Sequence, residues 1–401
     1  MKASFRWALM LTGAAFVAAC SSGPAEVSRA REVLAERTAE NPAHYQHAVT
    51  IMAGSDAPHA LAMTREAIAG PNRTAAAEAI RGLGPSVDGE TVAALRAAFD
   101  TGGSVKALAA AKLASFDDAE AIAWLADQLG QGGTVLPAEA MAALAVTEHA
   151  ESVRNALRGL IWNKNLSIRN EGYVILGQVH APWAVDLLLE GLDKEFGEER
   201  VQPIQALGRL GDPAAAKAVR NWVDTQGLVL ASLEALGRIG DGESLEVIVP
   251  MLEHDQPLVR PYAAVAAWEL GAKDAVMAAI PALIADENPA VRQALAEQLS
   301  RGGGGEVRAW LSQLAEDGDK RVRAEAYRGL LARRSPEELA AVFAAGAQDP
   351  DYEVATIALS GLAETGDASH TAALAPLLES DNPYLAISAA HAVLALAGSQ
   401  P

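Results

Sequence analysis

Ile280-Pro281-Ala282-Leu283-Ile284-Ala285-Asp286-Glu287-Asn288-Pro289-Ala290-Val291-Arg292-Gln293-Ala294-Leu295 is the stretch that decides the fold. Upstream and into it, Val276, Ala279, Ile280, Leu283 and Ile284 recur at helical spacing and predict a helix over 273–285. Asp286-Glu287-Asn288-Pro289 is a turn. Asn288 can cap the next helix, and Pro289 falls at its first position, where a missing N–H costs nothing. Val291, Ala294, Leu295 and Leu299 mark the buried stripe of that second helix, and Gly302 closes it as a left-handed cap. Neither helix can bury its stripe alone, so copies of the pair must stack.

The pair recurs. Gly211, Gly240, Gly271, Gly302, Gly366 and Gly398 close successive segments, with Arg333 in the matching slot, at a spacing of about 31 residues. Counting 31 back from Gly211 lands on His180, His149, Asp118 and Val87, each at a segment end. A fixed period in this range predicts an all-α fold, an α-solenoid or superhelix of stacked antiparallel helix pairs. A coiled coil would need unbroken heptads, and Gly or Pro interrupts every half-unit. The Trp-Leu-Gly-Tyr pattern of tetratricopeptide units and the alternation of β-strands are both missing from the sequence.

Finer marks repeat with the period. Gln256-Pro257, Asn288-Pro289 and Asn382-Pro383 open second helices. Val259-Arg260, Val291-Arg292 and Val322-Arg323 follow, with Ile168-Arg169 earlier. Asp286 and Arg292 are six apart, as are Asp317 and Arg323. Pro250, Pro281 and Pro376 each precede a turn Asp by five residues. These residues resemble HEAT repeats of the short, bacterial, bilin-lyase-like type, over roughly residues 56 to 398 and about eleven units. The resemblance implies that the turn Asp and the helix Arg form a structural hydrogen-bonded ladder between units, a role that falls here to Asp286, Arg292, Asp317 and Arg323. Pro137, Leu230 and Ala355 replace the basic residue in other units, so the ladder is expected to be patchy.

The N-terminal segment reads differently. Lys2 and Arg6 precede an 11-residue apolar stretch from Trp7 to Val17, and Val17-Ala18-Ala19 leads into Cys20, the one cysteine of the chain. This pattern is a secretory signal peptide, too short to span a membrane. Val-Ala-Ala-Cys resembles the lipobox of bacterial lipoproteins, which implies cleavage before Cys20 and lipidation of its thiol. The organisation expected is therefore residues 1–19 as leader, 20–55 as lipidated Cys, tether and N-terminal helices, and 56–401 as the repeat solenoid. Ser21 follows the cysteine instead of the Asp that resembles an inner-membrane retention signal. The expectation is an outer-membrane lipoprotein facing the periplasm in a Gram-negative cell, or a lipid-anchored surface protein otherwise. Ser21-Ser22-Gly23-Pro24 would hold the body near that surface. The first helical patterns beyond it run over 25–39, with Val27, Ala30, Val33 and Leu34 on one face, then over 44–53 and 58–69.

Beyond residue 20 the chain carries 30 basic and 51 acidic side chains, a net charge of −21. Such a body repels phosphate, so no nucleic-acid partner is expected. Solubility explains the charge, and a basic protein partner would exploit it.

A search for chemistry predicts no enzyme and no cofactor. HExxH, P-loop, GxSxG and CxxC patterns are missing. His44 and His47 share a helix face, with His59 one helix away, but would need a fourth ligand to hold a metal. His149 and His180 fall in equivalent slots of adjacent units, about 8–10 Å apart, too far to share a zinc ion easily. No metal site is expected. Deoxyhypusine hydroxylases resemble the fold but carry His-Glu dipeptides, which this chain lacks. Gly302 to Gly305 reads as a flexible inter-unit loop, and Asp193 to Arg200 as a solvated one.

Interface chemistry favours aromatic and Arg side chains, and second helices line the concave face of such solenoids. Tyr173, Tyr262, Trp268, Tyr327 and Arg328 fall on those helices and are the candidate contact residues. The expected function is that of a membrane-anchored scaffold or adaptor binding one or more proteins in the periplasm. A bilin-lyase-like or other cofactor-binding HEAT enzyme is the first alternative. Binding of cell-wall polymer is the second; it would need a stripe of exposed aromatics in a chain with only 19 aromatic residues.

Overall fold

The structure, a computed structural model, describes residues 25–85, 87–131, 136–332 and 336–398. They form 24 α-helices with short 3₁₀ segments and, among the described residues, no strand. No described helix is long and apolar enough to cross a membrane. Cys20 and the rest of the predicted leader and tether lie outside the described residues, as does Arg333. The described chain falls into two compact units, one made of the residues up to 98 together with those from 311 onward, the other of residues 99–310.

The second unit displays the repeat plainly. First and second helices alternate: Ala150–Ile161 with Leu166–Leu176, Pro182–Lys194 with Val201–Leu210, and Lys273–Ile284 with Pro289–Leu299. The deciding stretch folds as its residues dictate. Val276, Ile280 and Leu283 are buried on one helix, and Val291, Leu295 and Leu299 on the other. Asn288 caps the second helix by accepting from the Ala290 N–H at 3.0 Å, and Pro289 fills its first position. Successive second helices pack directly on one another because small residues face small residues. A Cβ on Gly208 would lie 2.6 Å from the Ala235 Cα, and one on Gly237 only 2.9 Å from the Ala266 Cα. Gly211 and Gly240 end their helices at φ 66° and 77°, in the left-handed region that glycine tolerates.

Two expectations are corrected. Gly302 is not a left-handed cap: its helix ends at Leu299 with Ser300 as the cap, and the left-handed glycine there is Gly304. The run Gly302–Gly305 is also tied down. Trp268 donates its Nε1–H to the Gly303 carbonyl at 3.2 Å, and Gly305 already opens the helix Gly305–Leu314. Pro250 acts through its missing N–H. The first helix of its unit changes from α over Leu245–Ile248 to 3₁₀ over Val249–Glu253.

In the other unit the first described helix, Ala25–Glu40, packs along Pro383–Gly398, and Pro42–Met52 packs on that same helix. The predicted face of Val27, Ala30, Val33 and Leu34 is the one that is buried. A bidentate ion pair from Arg29 to Glu379 (2.7 and 3.1 Å) borders the contact. Histidines fill its interior. His59 Nε2 and His391 Nδ1 are 2.9 Å apart, His47 Nε2 lies 3.2 Å from the Ser388 hydroxyl, and both His44 and His47 stand edge-on to Tyr384.

Candidate functional site

The arginines of the second helices reach in two directions. Arg323, on Lys320–Leu331, donates Nη1 to the Asp317 and Gly318 carbonyls of its own turn (2.9 and 3.2 Å). Its Nε and Nη2 grip the Asp349 carboxylate of the next unit at 2.7 and 2.9 Å. Asp349 in turn accepts the Asp351 N–H at 2.8 Å, which fixes the next turn. Arg169 repeats the arrangement. It donates to the Asn163 and Lys164 carbonyls and grips the Glu195 carboxylate at 2.7 and 3.1 Å. Arg292 likewise donates Nη1 to the Asp286 carbonyl at 2.7 Å, while the Asp286 and Asp317 carboxylates each cap an N–H of their own turn. Within a turn, then, the Arg donates to the backbone carbonyl six residues earlier. The carboxylate partner stands 26 residues later, as Glu195 and Asp349.

Glu195 overturns the reading of residues 193–200 as a solvated loop. Its side chain is 3 % exposed. Besides Arg169 it accepts from the Tyr173 hydroxyl at 2.8 Å and from Lys194 Nζ at 3.2 Å. Burial works against its charge, but these donors hold the carboxyl below its usual range. The same burial and the same carboxylate push the Tyr173 hydroxyl far up, so it stays a proton donor.

This geometry removes three of the predicted contact residues from the surface. Tyr173 is wholly buried, its ring lying where a Gly191 side chain would be. Tyr327 is buried in the same way against Gly346, and burial pushes its hydroxyl up to about 12. Trp268 is buried against Trp310, with ring centroids 4.9 Å apart. Tyr173, Tyr327 and Trp268 are therefore core residues that join units, and a partner cannot touch them. Tyr262 is half-buried, and Arg328 is exposed and paired with Glu325 at 2.6 Å.

The surface features lie elsewhere. Between Leu245–Glu253 and Lys273–Ile284 runs a cleft of about 760 Å³. Ala275, Ala278, Ala279 and Ala282 floor it, Leu252 and Leu283 wall it, and Glu253, Arg260 and Asp286 stand at its rim. Short side chains on one helix leave the space that longer ones would fill. Arg260 is the ladder residue of this unit, but it donates Nε to the His254 carbonyl at 2.8 Å and makes no ion pair with Asp286. The rung that is closed at Arg169 and Arg323 is open here.

The turns carry exposed rings. Trp162 is 52 % and Phe196 76 % exposed, and Trp222 is half-buried. Among the described residues, no three His, Cys, Asp or Glu side chains gather closely enough to hold a metal ion.

A model of the HEAT-repeat family matches residues 276–345, which contain the deciding stretch. No curated protein matches the chain. Among solved structures, the complex of CpcE and CpcF of phycocyanin lyase from Nostoc sp. PCC7120 is similar at 21 % identity, covering 51 % of this chain and 90 % of that one, with a TM-score of 0.39. Human deoxyhypusine hydroxylase is similar at 17 % identity, over 60 % and 95 %, with a TM-score of 0.31. The karyopherin Kap121p is similar at 12 % identity, over 97 % and 48 %, with a TM-score of 0.36.

Proposed function

We propose that the chain is a protein-binding scaffold of the cell envelope, anchored through lipid on Cys20 and facing the periplasm from the outer membrane. The observation that carries the binding reading is the alanine-floored cleft between Leu245–Glu253 and Lys273–Ile284. Its volume suits an aliphatic anchor side chain, or the apolar face of a docked segment, as grooves between helices do. Glu253 and Asp286 at the rim, with the net charge of −21 beyond residue 20, favour a basic segment around that anchor. Arg260, which makes no rung to Asp286, can donate to the segment's carbonyl or carboxylate oxygens. Two-dimensional confinement by the lipid raises the encounter rate without adding a contact. The Val-Ala-Ala-Cys pattern before residue 21 supports the anchor, and nothing in the cleft assembles an acid, a base and a nucleophile.

The test uses the membrane-borne chain with a photo-crosslinking amino acid at Ala278, which is exposed on the cleft floor. A discrete crosslinked protein is expected, and Ala282→Trp, which fills the cleft from another of its floor positions, should abolish it. A crosslink indifferent to Ala282→Trp would remove the cleft from the function.

A further inference from the structure

Within residues 99–310 an ion pair reaches across a whole unit. Arg301 Nη1 lies 2.9 Å from Glu234 Oε2. Glu234 belongs to Val229–Ile239, and Arg301 follows Pro289–Leu299. The second helix of the unit between them, Val259–Glu269, packs on both. The pairs Arg169–Glu195, Arg220–Asp241 and Arg323–Asp349, by contrast, each join a unit to the one that follows it. Side chains of Glu234 and Arg301 are only 16 % and 27 % exposed, so solvent screens them less than an open surface pair. Both are held from their own helices. Glu234 takes Arg238 Nη2 at 3.2 Å. Gln298 Oε1 accepts from Arg301 Nη1 at 2.9 Å, and Glu297 lies 3.4 Å from Arg301 Nη2. The end of the middle helix is seated beside the bridge, because the Glu269 carboxylate fills the place of a Gly237 side chain, one turn from Glu234.

The first turn of that same middle helix carries Arg260, at the rim of the alanine-floored cleft. In a stack of helix pairs each unit contacts only its neighbours, and a small rotation per unit sets the curvature. Drawing the second helices of the flanking units together therefore swings first helices apart. It is between first helices, Leu245–Glu253 and Lys273–Ile284, that the cleft opens and the Arg260–Asp286 rung is not made. We propose that the Glu234–Arg301 bridge is a strap that sets the local curvature and so holds the cleft open. With the strap released, the units relax about Val259–Glu269 and the cleft narrows. Arg260 then meets Asp286 as Arg169 meets Glu195 and Arg323 meets Asp349, at the same step along the chain. A ligand that captures Glu234 or Arg301 would thus regulate the docking site proposed above, from the other helix layer. The opening itself needs no partner.

The experiment follows the reaction of a maleimide with a single thiol on the cleft floor. The parent is the full chain carrying Cys20→Ser and Ala278→Cys, with no partner present; Ala278 is exposed there. Arg301→Gln and Glu234→Gln should each slow the reaction at least about threefold, the weight of one partly screened ion pair on an open–closed equilibrium. Arg238→Gln removes a contact within one helix and leaves the bridge, so it should react at the parent rate. A thiol at Met277→Cys, exposed but outside the cleft, should be indifferent to all three changes. Unfolding cannot imitate the result, because it would speed the reaction. A rate at position 278 equal to or above the parent's in Arg301→Gln or in Glu234→Gln overturns the strap. So does a slowing that Arg238→Gln reproduces, or one that extends to position 277. None of these outcomes touches the docking reading, which is decided by the protein crosslinked from position 278 in the membrane-borne chain.

Discussion

Acidification should release the N-terminal helices from Pro383–Gly398, and the His59–His391 pair sets the size of the effect. The two rings approach to 2.9 Å and His391 is 2 % exposed. Burial pushes His391 down to about 3, with the nearby His59 adding to it, and burial pushes His59 down to about 4, with Arg31 adding to it. His47, facing Ser388, His44 and Tyr384, is lowered by burial as well. In the open chain such groups titrate near 6.5. Protons therefore bind the unfolded form more tightly, and stability is full above about pH 6.5 and falls as the pH drops towards 4. Each pH unit below 6.5 costs about 1.4 kcal/mol per buried histidine, so at pH 5 the pair removes about 4 kcal/mol. Glu66 and Glu364, both raised by burial, work in the opposite sense. Hydrogen exchange at pH 7.5 and 5.0 reads the effect directly. Amides of Ala25–Glu40, Pro42–Met52 and Pro383–Gly398 should lose protection on acidification while those of Val229–Ile239 keep theirs. A His59→Phe/His391→Leu variant should lose most of the dependence. Equal pH dependence in wild type and variant would refute the reasoning.

Other outcomes follow from single contacts. Arg323→Ala leaves Asp349, 8 % exposed, without its guanidinium, and should cost about 3 kcal/mol in urea denaturation; Arg323→Leu with Asp349→Leu should cost less. Gly191→Ala places a methyl 2.5 Å from Tyr173 Cε1 and should destabilise by about 1–3 kcal/mol, read as a lowered thermal midpoint. Cys20→Ser should move the protein from the membrane fraction to the soluble one; a variant that still sediments with membranes removes the lipid anchor.

What the sequence reveals here depends on the distance over which the physics acts. A helix from residue 58 to residue 69, and the buried face of Val27, Ala30, Val33 and Leu34, are readable because helical periodicity is local. Tyr173 and Tyr327 do share a slot, but which side of the helix that slot faces is decided by Gly191 and Gly346 on other helices. Glu195 sits among charged neighbours that look solvated, and the Arg169 that buries it is 26 residues upstream. His59 and His391 meet across 332 residues, beyond the reach of any motif. The turn aromatics are visible as letters only: nothing local distinguishes Phe196, 76 % exposed, from Phe343, 1 % exposed.

The packing of Ala25–Glu40 along Pro383–Gly398 bears on how the chain matures. The first of these helices finds its partner only after the residues between them have been made, and the Arg29–Glu379 pair spans 350 positions. Until then the apolar face of Val27, Ala30, Val33 and Leu34 lacks that partner helix. A product cut short before Pro383 would display that greasy strip to chaperones and proteases, so this contact doubles as a check on length.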